Sequence, residues 1–110
     1  MTSAFNHSTP GLVAGTTRTL VYGPVSAGTT IIVFDGTISN VDVTNMTQHW
    51  FTLESYDGVS VYTTHLFEIP VPFGSSSRLP KITLLPGESL YITADAAASM
   101  ATRLEYLVRT

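Results

Sequence analysis

Apolar and β-branched residues alternate with polar ones in short runs along this chain, and Gly, Pro, Asn and Asp gather between the runs at a spacing of about ten residues. A period of two places successive side chains on opposite faces of an extended backbone, so each run predicts a strand with one face turned to a core. Thr16–Tyr22 stops at Gly23-Pro24, and Ser26-Ala27-Gly28 makes the turn into the next run. Thr30–Asn40 sets Ile32, Phe34 and Ile38 against Asp35, Thr37 and Ser39, with Gly36 marking a bulge or a bend between sheets. After the polar loop Val41–Gln48, His49–Tyr56 alternates again and ends at the turn signal Asp57-Gly58.

Val59–Ile69 reads as a further strand with a break near Thr63, and Ile69-Pro70-Val71-Pro72 as an extended crossing or an edge segment, because proline cannot donate to a ladder. Ser75–Leu79, Lys81–Leu85, Ser89–Ala94 and Thr102–Val108 complete the set, with Pro86-Gly87 as a turn and Asp95–Ala101 as a small-residue connection. This is the pattern of an all-β, antiparallel two-sheet sandwich of about seven or eight strands, jelly-roll-like because the proline-rich crossing favours a passage between sheets. The predicted core is Leu20, Ile32, Phe34, Ile38, Phe51, Leu53, Phe67, Ile82, Leu84, Leu90, Ile92, Leu104 and Tyr106. Residues 16–110 form the domain. Residues 1–15, rich in Ser, Thr and Gly, form an N-terminal arm with two readings: a disordered tail, or a segment that orders on a neighbouring subunit and places Phe5 or Leu12-Val13 in a pocket.

Composition changes this picture in one respect. Charged residues are 12% of the chain, about half of the usual ~25%, and seventeen Thr and eleven Ser take over the polar role. Two readings follow: a threonine-rich strand protein, or a surface largely covered in an assembly. A net charge of −3 with five scattered basic residues (Arg18, Arg78, Lys81, Arg103, Arg109) argues against nucleic acid. The longest apolar stretch, Ile31–Phe34, is too short to cross a membrane, and no signal-peptide pattern follows Met1. The expectation is a soluble protein with neither nucleic-acid nor membrane partners.

Candidate chemistry is sparse. The chain has no cysteine, no Gly-x-Ser-x-Gly and no phosphate-binding glycine loop. His7, His49 and His65 lack ligand-type spacing, although His49 and His65 would approach if their strands paired. Glu54 and Glu68 would face each other on the same condition. The expectation is no catalytic residue, no metal and no cofactor. Trp50 stands out, with Met46 before it in the loop. Either Phe51 and Leu53 point inward and Trp50 is an exposed anchor, or the register is reversed and Trp50 is core. The candidate partner-contact residues are therefore Phe5, Leu12, Val13, Met46 and Trp50.

Four stretches in order carry a resemblance. They are Gly28-Thr29-Thr30-Ile31-Ile32-Val33 leading to Ile38-Ser39-Asn40-Val41, then Ile69-Pro70-Val71-Pro72-Phe73-Gly74-Ser75-Ser76-Ser77, then Leu84-Leu85-Pro86-Gly87-Glu88-Ser89-Leu90, and Leu104-Glu105-Tyr106-Leu107. Together they resemble the small β-sandwich virion proteins of tailed bacteriophages, the capsid decoration (cement or staple) proteins. The resemblance implies a structural, non-enzymatic protein of the virion, assembled in the host cytoplasm. Its partner would be the major capsid protein, and it would act as a dimer or trimer. The alternatives are a tail, neck or fibre module of the same build, and a carbohydrate-binding sandwich using Trp50 or Tyr56 and Tyr62.

Overall fold

The computed structural model describes residues 3–7, 12–13, 16–96 and 99–110. Ten strands are formed: β1 (Ser3–His7), β2 (Leu12–Val13), β3 (Thr19–Tyr22), β4 (Thr30–Asn40), β5 (His49–Tyr56), β6 (Tyr62–Val71), β7 (Ser76–Arg78), β8 (Ile82–Leu84), β9 (Ser89–Ala94) and β10 (Met100–Arg109). One sheet has the order β1-β10-β4-β7, with β2 extending the β1 edge beside β10 and β8 extending the β7 edge beside β4. The other has the order β3-β9-β5-β6. All pairings are antiparallel.

Counting β1 with β2 and β7 with β8 as single positions leaves two sheets four positions wide. The pairs are then nested: β5 with β6, β4 with β7 and β8, β3 with β9, and β1 and β2 with β10. A long hairpin rolled around a core gives this connectivity, which is the jelly roll expected from the proline crossing. The sheets stay open rather than closing into a barrel, and the described residues include no helix. Pro70 is accommodated because β6 is an edge strand of its sheet.

Phe51, Leu53, Leu90 and Ile92 of one sheet and Ile31, Ile38, Leu84 and Leu104 of the other are each no more than 1% exposed. Burying each such side chain is worth about 1.5–3 kcal/mol. Ile38, Phe51, Leu53, Ile82, Leu84, Leu90, Ile92 and Leu104 sit where alternation predicts, and Tyr106 packs against the core half-buried.

Four predicted core residues do not: Ile32, Phe34, Leu20 and Phe67, all on strands whose register shifts. Phe34 is 42% exposed because Asp35 pairs with Glu105 while Val33 pairs with Tyr106, which makes Phe34 the extra residue of a bulge, skipped by the register. Before the bulge the odd residues Ile31 and Val33 face inward, so Ile32 is only half-buried; after it Gly36, Ile38 and Asn40 do. Leu20 is 43% exposed because Val21 is the extra residue between the pairs Leu20–Tyr91 and Tyr22–Leu90, and it turns inward instead. Phe67 is 67% exposed in a stretch of β6 where the pairing slips twice against β5. One inserted residue exchanges the faces of everything beyond it. Gly36 follows the β4 bulge, and a Cβ there would come within 3.0 Å of Leu104 and 3.2 Å of Leu79.

The expected arm runs along β10 in part: Ser3–His7 pairs from Arg109 to Glu105, and Leu12–Val13 pairs with Thr102 and Ala101. Residues 1–2, 8–11 and 14–15, and the side chains of Phe5, Leu12 and Val13, lie outside the described residues.

Candidate functional site

Three loops meet at one end of the sandwich: 41–48 between β4 and β5, 72–75 between β6 and β7, and the segment following β9. Asn40, 3% exposed, ties the first two together. Its Nδ2 donates to the carbonyls of Thr47 at 2.8 Å and Val71 at 2.9 Å, and its Oδ1 accepts the Asp42 N–H at 3.1 Å. Asp42 in turn accepts the Asn45 N–H at 3.2 Å, and the Met46 N–H donates to the Asp42 carbonyl at 2.9 Å. Met46 therefore sits in a left-handed conformation (φ 53°), which costs about 1–2 kcal/mol for a residue with a Cβ and is held by these bonds.

His49 closes the same end. It is buried, with Nε2 2.7 Å from Asp42 Oδ2 and Nδ1 3.0 and 3.1 Å from the two oxygens of Asp95. Both ring nitrogens face a carboxylate, and only the imidazolium can donate from both. The hydrogen bond that His49 Nε2–H donates to Asp42 holds the His49 pKa above its ordinary value against the opposing effect of burial, and the same bond holds the Asp42 carboxyl below the usual range. Thr47 Oγ1 lies 3.4 Å from Nε2, so Thr47, His49 and Asp95 have the order of a hydroxyl–imidazole–carboxylate relay. Asp42 occupies Nε2, however, and leaves no lone pair to accept the hydroxyl proton. Asp42, His49 and Asp95 form a clasp. The two nitrogens point to opposite sides, and no cluster of three or more ligand side chains suited to a metal ion occurs among the described residues.

The outer face of the β3-β9-β5-β6 sheet is the second region of interest. Trp50 is 42% exposed and Phe51 is 1% exposed, so the first of the two registers holds. A groove of about 270 Å³ runs beside Trp50, lined by Thr52, Glu68, Thr93 and Asp95. It arises from the β6 bulge, where Glu68 adopts φ 48° and its N–H donates to Thr52 Oγ1 at 3.1 Å. A second groove of about 470 Å³ shares Thr52 and Thr93 and continues past Thr64, Phe67 and Glu54 to Arg18. Arg18 is engaged twice: bidentate on Glu54 at 3.0 and 3.1 Å, and 3.6 Å above the ring of Tyr62. Tyr62 also stacks against Tyr56 at 4.5 Å.

Glu54 and Glu68 do not face each other as expected; Glu54 pairs across the ladder with Thr64, and the bulges carry Glu68 toward Thr52. His49 and His65 lie on paired strands but at opposite ends of β5: His49 faces Val71, while His65 Nε2 is 2.9 Å from Ser55 Oγ and burial pushes its pKa down. Of the candidate contact residues, Met46 lies on the clasped loop and Trp50 on the sheet face, so the fold does not bring them into one site. The clasp itself has no sequence signature, since Asp42, His49 and Asp95 lie in separate segments.

No protein-family model matches the chain, and no curated protein matches it in sequence. The class supported is a small all-β protein of two antiparallel sheets.

Proposed function

We propose that this chain is a structural virion protein: a decoration module that binds the outside of a bacteriophage capsid and stabilises the mature shell by bridging major capsid protein subunits. The observation that carries this reading is the apolar tip of the clasped end. Val43 and Met46 are 68% and 64% exposed, on a loop whose backbone is fixed by Asn40, Asp42 and His49. Phe73, on the neighbouring loop, is exposed as well. Side chains presented on a loop that is already ordered dock without the usual entropy cost, and methionine adapts its shape to the surface it meets. The low charge of the chain supports a surface that is covered in an assembly. The resemblance of four stretches to capsid decoration proteins supplies the identity of the partner.

Such a module stabilises the mature shell by binding that arrangement better than any other, and a dimer or trimer multiplies weak contacts into a firm one. The test adds purified protein to shells that lack it and measures binding and the temperature of shell rupture. Decoration predicts saturable binding, a raised rupture temperature, and loss of both with Val43→Ser/Met46→Ser. No binding would sink the reading, and saturation at a dozen or fewer copies per particle would move the protein to the tail or neck.

A further inference from the structure

We propose that the outer face of the β3-β9-β5-β6 sheet is a binding track for a neutral oligosaccharide, with one sugar ring stacked on Trp50 and the chain running over Thr52 and Thr93 toward Phe67. This goes beyond capsid binding, uses a different part of the molecule, and does not rest on it.

The lining selects the ligand. A sugar ring presents an apolar C–H face and a rim of hydroxyls, so it asks for an exposed aromatic beside acceptors and small donors. Trp50, half-exposed at the wall of the first groove, supplies the aromatic. Glu68 supplies a carboxylate that makes no hydrogen bond or ion pair within the described residues, and Asp95 presents a carboxylate whose side chain is 34% exposed. Thr52 Oγ1 already accepts the Glu68 N–H, which leaves its hydroxyl hydrogen to donate.

Size and continuity set the length. At about 270 Å³ the first groove falls just below the roughly 300–1,000 Å³ of pockets that enclose drug-sized molecules, which suits one ring. Because the second groove shares Thr52 and Thr93 with the first, further units can follow along the face. Charge excludes acidic sugars: the first groove carries two carboxylates and no cation, and the Arg18 guanidinium at the far end is held by Glu54 and Tyr62. A peptide strand is a poorer fit, since the backbone groups under a sheet face are spent in the ladders and only edges offer them.

Asp95 belongs to both regions. Its Oδ1 accepts the Trp50 N–H at 3.1 Å while the carboxylate is held by His49, so the clasp fixes one wall of the groove and makes His49 a positioning residue for it.

Trp50 is the single tryptophan of the chain, so intrinsic tryptophan fluorescence reads this site alone. The full chain is titrated with a panel of neutral hexasaccharides of glucose, mannose, galactose and xylose, and with a sialylated hexasaccharide. The expected result is a saturable change in emission with at least one neutral member and a weaker response to the sialylated one. Glu68→Gln should weaken binding about ten-fold, a loss of about 1.4 kcal/mol, with emission still readable. Trp50→Ala, followed by calorimetry, should remove it, while Met46→Ser should leave it unchanged. No response to any neutral member, a tighter response to the sialylated one, or an emission change that follows protein concentration instead of sugar (a second copy on the face) would each overturn the proposal.

Discussion

At the Asn40 end of the sandwich, side chains tie separate loops to one another: Asn40 reaches Thr47 and Val71, and His49 reaches Asp42 and Asp95. At the far end, where loops 23–29, 57–61 and 85–88 meet, each turn is tied within itself and the turns touch through backbone. Asp57 Oδ1 accepts the N–H groups of Val59, Ser60 and Val61 at 2.8, 2.8 and 3.0 Å, and Glu88 Oε1 accepts the Leu85 N–H at 2.6 Å. Val25 exchanges backbone bonds with Glu88 and Gly87 at 2.9 and 2.8 Å. The difference teaches where each end is vulnerable. Turns that meet through backbone are sensitive to an added Cβ, and the Asp57 carboxyl that ties one of them is held below its usual range by the N–H groups it accepts, so acid alone releases it. An end whose loops are joined by a histidine between two carboxylates depends on ionisation near neutrality as well.

The largest expected effect tests the backbone end. Gly58 adopts φ +88°, and a Cβ there would lie 2.5 Å from the Gly87 carbonyl oxygen. Gly58→Val should therefore cost about 3 kcal/mol or more, from left-handed strain plus a contact that only backbone movement relieves. Gly28, in the same end with φ +75° but nothing within 4 Å, is the control: Gly28→Val should cost only the strain, about 1–2 kcal/mol. Equal losses by urea unfolding would show that the packing of the two turns contributes nothing.

Next in size is Asn40→Ala at the side-chain end. It removes three hydrogen bonds and leaves the carbonyl of Val71 without its buried partner, for an expected loss of about 2–3 kcal/mol in the same assay. Asn40→Asp should be worse than alanine, because it sets a carboxylate against two carbonyl oxygens. If the alanine variant loses less than about 1 kcal/mol, the loops are held by something other than Asn40, and the contrast between the ends fails.

How much of this could be read in the sequence follows from what breaks a period of two. Where strands run unbroken, as in β8, β9 and β10, alternation places Ile82, Leu84, Leu90, Ile92 and Leu104 correctly in the core. Where a bulge intervenes, it places Leu20, Phe34 and Phe67 inside when they are outside, and Ile32 inside when it is only half-buried. A bulge is an agreement between two strands about which residue is skipped, and nothing in one strand's own residues records it. Gly36 is a partial exception, since it stands two residues from the skipped Phe34. Trp50 and Met46 stand out in the sequence as candidate contacts, but which face Trp50 takes does not, since a slip of one residue would turn it inward. The groove beside Trp50 depends on the β6 bulge, and the clasp joins residues as far apart as Asp42 and Asp95. Long-range side-chain meetings of this kind leave no local periodicity to read.

The smallest effect is a matter of slope, and the two histidines of β5 and β6 set it in opposite directions. The folded pKa of His49 is raised above the ordinary 6.5 by the Asp42 bond, so its contribution is fully present below 6.5 and is lost as pH rises through the raised value. Asp42 is lowered from 3.8 by the same bond, so its share is present above 3.8 and is lost only as pH falls through the lowered value. The clasp thus strengthens the Asn40 end between the carboxylate range and neutrality. His65, beside Ser55 toward the far end, is lowered from 6.5 by burial, so protonation opposes the folded state and stability falls as pH drops below 6.5. In the unaltered protein the two slopes oppose each other. Urea midpoints measured from about pH 5 to about pH 8 should separate them in single variants. His65→Gln should leave a protein whose stability falls toward alkaline pH, and His49→Gln one whose stability falls toward acid. Parallel profiles in the two variants would mean that His49 is not the imidazolium its two carboxylates require, and that the Asn40 end is closed without charge.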